Sequence, residues 1–205
     1  VSALFDLFQI IAKGDTREAL RRLEACPALA TEKLAIGATR AAPSVMFLEE
    51  VKHHVYAGDT ALHVAAAAHA GSVVRALLER KAEVAARNRR GAEPLHYAAD
   101  GSPTNANWDP AAQADVIDQL VAAGANPDAL DKSGVAPLHR AVRARTTGAV
   151  RALLRAGANP RLKNKNGSTP LMLCAMTTGR GGSGTAEAKH EQEAIGALLM
   201  GALNP

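Results

Sequence analysis

The sequence predicts an all-α solenoid of stacked helix–turn–helix units, and three observations predict it. A six-residue phrase returns four times, as Gly58-Asp59-Thr60-Ala61-Leu62-His63, Gly91-Ala92-Glu93-Pro94-Leu95-His96, Gly134-Val135-Ala136-Pro137-Leu138-His139 and Gly167-Ser168-Thr169-Pro170-Leu171-Met172. Its spacings are 33, 43 and 33 residues, and self-similarity at a period of this size marks an array of repeated supersecondary units. The composition agrees. The chain has 205 residues, 47% hydrophobic but only 3% aromatic, which suits thin layers of alanine and leucine between stacked helices better than one large core.

The units also end alike. The first clear one closes with Leu77-Leu78-Glu79-Arg80-Lys81-Ala82-Glu83-Val84 and the second with Leu120-Val121-Ala122-Ala123-Gly124-Ala125-Asn126-Pro127. The third closes with Leu153-Leu154-Arg155-Ala156-Gly157-Ala158-Asn159-Pro160 and the fourth with Leu198-Leu199-Met200-Gly201-Ala202-Leu203-Asn204-Pro205. Opening phrase and ending together resemble the ankyrin repeat. The resemblance covers residues 58–205, and a half-match at Gly14-Asp15-Thr16-Arg17-Glu18-Ala19-Leu20-Arg21-Arg22-Leu23 suggests a degenerate first repeat. It implies an ankyrin-repeat solenoid of about four clear repeats behind that degenerate one. The expected division is a capping repeat over 1–30, an insertion over 31–57, repeats over 58–90, 91–133 and 134–166, and a C-terminal capping repeat over 167–205. The alanine- and arginine-rich composition resembles that of bacterial members of the family.

Each part of the unit has a physical reason. Gly58, Gly91, Gly134 and Gly167 sit in the opening turn, where a left-handed backbone is easiest for glycine. Thr60, and Thr169 with Pro170, start the first helix as cap and first helical residue. Ala65-Ala66 and Ala98-Ala99 let the inner helices approach closely, and the leucine pairs fill the layer between repeats. Gly124 and Gly157 end the second helices. His63, His96 and His139 recur with the period of the repeat, one per layer, whereas a metal site needs ligands that converge in one layer. The resemblance implies that these three bond backbone in the turns. Met172 replaces histidine in the fourth repeat, as a terminal repeat permits.

Three insertions break the rhythm. Leu62 to Leu77 and Leu138 to Leu153 are 15 residues each, but Leu95 to Leu120 is 25 and Leu171 to Leu198 is 27. The extra residues fall around Gly101–Ala111 and around Thr178–Thr185, both between the two helices of a unit. Trp108, the lone tryptophan, lies in the first of these. It either pins that loop to the scaffold or contacts a partner. The glycine-rich stretch 179–184 lacks the Gly-Lys-Ser/Thr ending of a phosphate loop and no strand precedes it, so it reads as a linker. Within 31–57, Ser44 to Val51 predicts a short extra helix with Val45, Phe47, Leu48 and Val51 over the first layers. That element either packs or binds.

The family geometry places turn tips and inner helices on one concave face. The tips are His54, Tyr56 and Asp59, then Arg87, Arg89, Arg90 and Ala92. Leu130, Lys132, Ser133 and Val135 follow, then Lys163, Lys165, Asn166 and Ser168. Groove-facing positions of the inner helices are Ala67, Ala68, Asp100, Arg143, Ala144, Met176 and Thr177. Arg87, Arg89, Arg90, Lys132, Arg143, Lys163 and Lys165 make this face basic, interrupted by Asp100 and Asp131. Such charge either only solvates the array or steers an acidic protein or peptide into the groove. The candidate partner contacts are therefore Tyr56, Asp59, Arg87, Arg89, Arg90, Asp100, Trp108, Lys132, Arg143, Lys163 and Lys165.

The expected function is a non-catalytic, monomeric scaffold for protein–protein interaction. No nucleophile–base–orienter set stands out, neither cysteine adjoins a histidine, and no cofactor or metal is expected. His53-His54 is the one uncommitted pair, and neighbouring side chains diverge without a third ligand. A polyanion-binding module is the alternative. The net charge of +4 and pI near 9.3 allow it, but Tyr56 is the lone aromatic on the basic face, which argues against nucleic acid. A regulatory or inhibitory subunit of an enzyme is a third reading. Cys26 and Cys174 stand at opposite ends of the array, beyond disulfide reach, and two thiols lean toward a reducing compartment such as the cytoplasm. The start at Val1 without methionine leaves room for a trimmed or removed leader. No stretch is apolar enough for a membrane-spanning helix.

Overall fold

The computed structural model describes residues 2–39, 46–101, 103, 108–176 and 185–204. Among these, α-helices follow one another in pairs. The first pair is α1 (Ala3–Ala12) and α2 (Thr16–Ala25), followed by a 3-10 turn at Pro27–Ala30 and a small hairpin of β1 (Phe47–Leu48) and β2 (His53–His54). Four further pairs are α3 (Ala61–Ala67) with α4 (Gly71–Glu79), α5 (Pro94–Ala99) with α6 (Pro110–Ala122), α7 (Pro137–Ala144) with α8 (Thr147–Arg155), and α9 (Pro170–Ala175) with α10 (Ala186–Leu203). First helices stack on first helices, α1 to α9, and second helices on second helices, α2 to α10. This is the all-α solenoid that the repeat period predicted.

The glue between layers is repetitive hydrogen bonding at the turn tips. The backbone N–H of Arg89 donates to Ala57 O of the preceding tip at 2.7 Å; Lys132 donates to Arg90 O at 2.9 Å and Lys165 to Ser133 O at 3.0 Å. Within each tip an Asx side chain ties the turn. Asn88 Oδ1 accepts from Arg90 N and Ala92 N. Asp131 Oδ1 accepts from Ser133 N and Val135 N, and Asn164 Oδ1 from Asn166 N and Ser168 N. Gly91 and Gly134 stand at φ 76° and 70°, and a Cβ on them would come within 3.0 and 2.9 Å of the next tip's Lys132 and Lys165 nitrogens. Glycine is therefore required twice over, by backbone conformation and by the approach of the next layer.

The repeat histidines complete this ladder. His63 Nδ1 accepts from Thr60 N at 3.1 Å while Nε2 bonds Ala92 O at 3.2 Å in the next repeat. His96 does the same with Glu93 N and Val135 O, and His139 with Ala136 N and Ser168 O. Because Nδ1 meets a donor and Nε2 an acceptor, each ring must be neutral with its proton on Nε2. All three are fully buried. Burial pushes their pKa values down, and that of His96, with Arg140 adding to the effect, falls to about 3. Met172 at the corresponding place of the last repeat is 53% exposed.

The apolar layer follows the sequence pattern with three differences. Leu62, Leu77, Leu95, Leu120, Leu138 and Leu153 are fully buried between layers. In α10, however, Leu199 and Ile195 are the fully buried pair while Leu198 is only partly covered. The fourth repeat thus runs one residue longer than the Leu171–Leu198 register implied, and α10 continues through Gly201 to Leu203. Gly14-Asp15-Thr16 falls between α1 and α2, so it opens a second helix, not a first; Asp15 caps α2 through Glu18 N. Part of the insertion after α5 is helix: α6 has 13 residues against 9 in α4 and in α8, and starts on the Asp109 cap and Pro110.

The helix expected over Ser44–Val51 is replaced by a hairpin. Phe47 pairs with His54 and Leu48 with His53, antiparallel. Lys52 turns the chain at φ 51°, and Val55 bonds Met46 O and Ala38 N on either side. The backbone groups of Phe47 and Leu48 find strand partners in His54 and His53 instead of a helical turn. The Phe47 ring lies 4.7 Å from that of His54 and Leu48 is buried. Ser44, Val45, Thr177 and the glycine-rich 179–184 lie outside the described residues. Cys26 is exposed, Cys174 is buried, and both are free thiols.

Leu95→Ala or Leu153→Ala should destabilise the protein by about 2–5 kcal/mol, as truncation of fully buried leucines does. Denaturant unfolding checks this, and unchanged midpoints would refute the assigned layers. A second expectation concerns pH. Histidines neutral when folded but ordinary when unfolded give stability that is complete above about pH 6.5 and declines as pH falls below it, by up to about 1.4 kcal/mol per pH unit for each ring, the His96 contribution continuing to fall down to about pH 3. Unfolding midpoints should therefore drop between about pH 7 and 5, above the range where carboxylates titrate, and His96→Gln should flatten the slope. Identical slopes would count against it.

Candidate functional site

Two trenches open on the concave face, one on each side of the β-hairpin. The first has a volume of about 540 Å³ and runs over the tips and inner helices from α5 to α7. It brings together Tyr56, Arg90, Asp100, Lys132, Arg143 and Lys165 of the sequence candidates. Their positions follow from the repeat. Lys132 and Lys165 occupy the same tip position two residues before glycine, each fixed by its inter-layer backbone bond. Arg143 extends from the last turn of α7, and Asp100 from the residue just after α5.

Tyr56 is the aromatic floor for two guanidiniums. Arg90 lies 5.1 Å and Arg89 5.5 Å from its ring centroid, and Arg90 Nη1 donates to the Tyr56 hydroxyl at 3.1 Å. Arg89 is further held by Ala38 O at 2.6 Å. Arg87 is turned to Glu93 and to Leu130 O. Arg87, Arg89 and Lys163 do not line the trench, although all three are exposed.

Asp59 is the clear correction. Expected at an exposed tip, it is completely buried. Its carboxylate accepts from Tyr56 N at 2.7 Å, Asn88 Nδ2 at 2.9 Å and the Tyr97 hydroxyl at 2.9 Å. It ties the first tip to the second and offers nothing to a partner. Burial, with the Asp59 charge beside it, pushes the Tyr97 hydroxyl well above the ordinary tyrosine range.

The acidic interruption of the basic face is neutralised from within. Arg140 Nη1 donates to Asp100 at 2.9 Å and Nη2 to Asp131 at 3.1 Å. Burial would raise the Asp100 pKa, but the Arg140 guanidinium and the His53 ring overcome it and hold that carboxyl well below its usual range. Asp131 is likewise lowered against its burial, by the Val135 and Ser133 N–H groups and by Arg140. The two carboxylates in turn keep Arg140 above its ordinary value in spite of burial. His53 stacks on Tyr97 with centroids 4.5 Å apart, and its Nε2 lies 3.3 Å from Asp100 without aligned hydrogen-bond geometry. Arg90, Lys132, Arg143 and Lys165 make no ion pair among the described residues, and all four are exposed.

Sequence reasoning placed His54 on this face but missed Arg140, Lys52 and His53 as lining residues. Arg140 follows the repeat histidine, the position of Val64 and Tyr97 in the preceding repeats, and a charge in that column was the available signal. The other two come with the hairpin. Trp108 lies in the second trench, with its ring 5.3 Å from His69 edge-on and against Gly101, where a Cβ would meet the indole at 2.5 Å. The tryptophan packs the start of the insertion onto the scaffold while part of its ring borders the trench. Among the described residues no group of three or more His, Cys, Asp or Glu could hold a metal ion, and no helix is long and apolar enough to cross a membrane.

The comparisons with known proteins fit this geometry. Residues 57–89 match the family model described as ankyrin repeat, and residues 110–185 match the one described as ankyrin repeats in three copies. Over 98 residues the chain is 35% identical to the tyrosine-protein kinase Shark of Drosophila melanogaster, a stretch that is 47% of this chain and 9% of that protein. The chain therefore spans under a tenth of this relative's length. The two matches fall on the stacked helical pairs, so the chain carries ankyrin repeats in an all-α solenoid.

Proposed function

We propose that this protein is a non-catalytic scaffold that binds an acidic segment of a protein partner in the basic trench. Ankyrin repeats are general protein–protein interaction modules, and the concave face offers an extended surface for that task. The observation that carries the acidic preference is a charge count along the trench. Its two carboxylates, Asp100 and Asp131, are both spent on Arg140, while Arg90, Lys132, Arg143 and Lys165 have no carboxylate partner among the described residues. Cations that are fixed at their roots by a rigid ladder, and not paired within the chain, favour a negatively charged ligand and speed its approach.

The tip positions of Arg90, Lys132 and Lys165 advance one repeat at a time, so an extended chain crossing the layers meets one cation per layer. Tyr56, already covered by two guanidiniums, is not free to stack on a base, which speaks for a peptide over single-stranded nucleic acid.

A fluorescein-labelled polyglutamate peptide tests the reading by anisotropy. The wild type should bind it, and Lys132→Glu with Lys165→Glu should weaken binding at least about tenfold, with a moderate loss between about 50 and 200 mM salt. Equal affinity in wild type and double variant would overturn the proposal. Tighter binding of an oligonucleotide, collapsing steeply with salt, would put a polyanion in the trench instead.

A further inference from the structure

The hairpin that walls the basic trench also walls a second one, of about 580 Å³, reaching back toward the first helical pair. Lys52, His53, His54 and Asp100 border both. The two trenches are thus one concave groove divided by a low ridge. Their chemistry differs. Ile11, Phe47, Val51, Ala67, Ala68 and the Trp108 indole give the second trench an apolar patch, beside the polar His53, His54 and His69. Of its charged borders, Asp100 is paired with Arg140 and Lys52 with Glu49, and Lys13 stands against Glu50, so it has no net demand for an anion. An apolar patch in a concave site, next to polar groups, is what anchors a large side chain.

We infer that the partner segment is bipartite: a run of carboxylates lies in the basic trench, and one large apolar side chain, phenylalanine or leucine, passes over the hairpin ridge and seats between Phe47, Val51, Ala68 and Trp108. This rests on the acidic-segment reading above and adds a specificity to it. Complementary charge fixes which end of the groove takes the acidic run, and the shared ridge places the apolar anchor directly beside that run.

Three short fluorescein-labelled peptides test the inference: a glutamate run flanked by alanines, the same run with phenylalanine as its N-terminal flank, and the same run with phenylalanine as its C-terminal flank. Both phenylalanine positions are needed because the groove does not set chain direction. One phenylalanine probe should bind wild type about tenfold or more tightly than the alanine probe. Ala68→Phe, which fills the second trench, and Val51→Gln, which makes it polar, should each abolish that gain and leave the alanine probe unchanged. Two variants are used so that a misfolded one, recognised by its circular dichroism melt, leaves the other decisive. No gain at either end, or a gain that survives in the folded variants, would overturn the inference while acidic binding in the basic trench stands. Failure of every glutamate probe to bind wild type would overturn both.

Discussion

The solenoid depends on one contact made three times: a neutral imidazole that accepts from the start of its own helix and donates to the next repeat's turn. His63, His96 and His139 join the cap of one inner helix to the tip that follows it. The tip-to-tip backbone bonds then repeat at constant spacing, and every side chain rooted in a tip inherits that spacing. The regular advance of Lys132 and Lys165 along the trench is a by-product of this ladder. A surface that looks chosen for charge is positioned by buried, uncharged rings.

Where a column of equivalent positions changes chemistry, the groove changes with it. The residue after the histidine is Val64, then Tyr97, then Arg140. Tyr97 reaches back to the buried Asp59, and Arg140 holds Asp100 and Asp131. A buried guanidinium between two carboxylates adds little net stability, since desolvation offsets most of the attraction. Its effect here is on the surface potential. It removes the trench's acids from a partner's view and leaves the lysines and arginines uncontested.

Most of the fold was legible because the determinants are local and periodic. The glycine phrase, the alanine pairs and the leucine pairs fixed the helices and their stacking order. What escaped has physical causes. Asp59 was placed outside because its neighbours are tip residues, yet the same position in the next repeat is Ala92, also buried. The apolar spacing of Phe47, Leu48 and Val51 satisfies a helix as well as a hairpin, and only the backbone partners at Met46 and Ala38 decide between them. Leu199 displaces Leu198 because the longer α10 rotates its buried face by one residue. Of the site, the tip cations could be read from repeat register. The hairpin's contribution of Lys52 and His53 is long-range and left no periodic trace.

His69 and Arg145 occupy matching places, both with left-handed backbone at φ 51° and 61°, between the helices of their own repeats. Each reaches forward to the end of the next inner helix, His69 to Ala98 O and Arg145 to Cys174 O and Met176 O. Gln113 and Gln192 bond the same Ala98 and Cys174 carbonyls from the following second helix. Those are the two helices after which the chain departs into an insertion. The open carbonyl ends that a departure leaves are therefore satisfied from the preceding repeat, by His69 and Arg145, and from the helix to which the chain returns. Segment length at these two junctions is decoupled from the integrity of the stack, which makes them natural grafting points: a new loop or small domain can be spliced there, projecting from the same edge in alternate layers, without the solenoid having to be rebuilt.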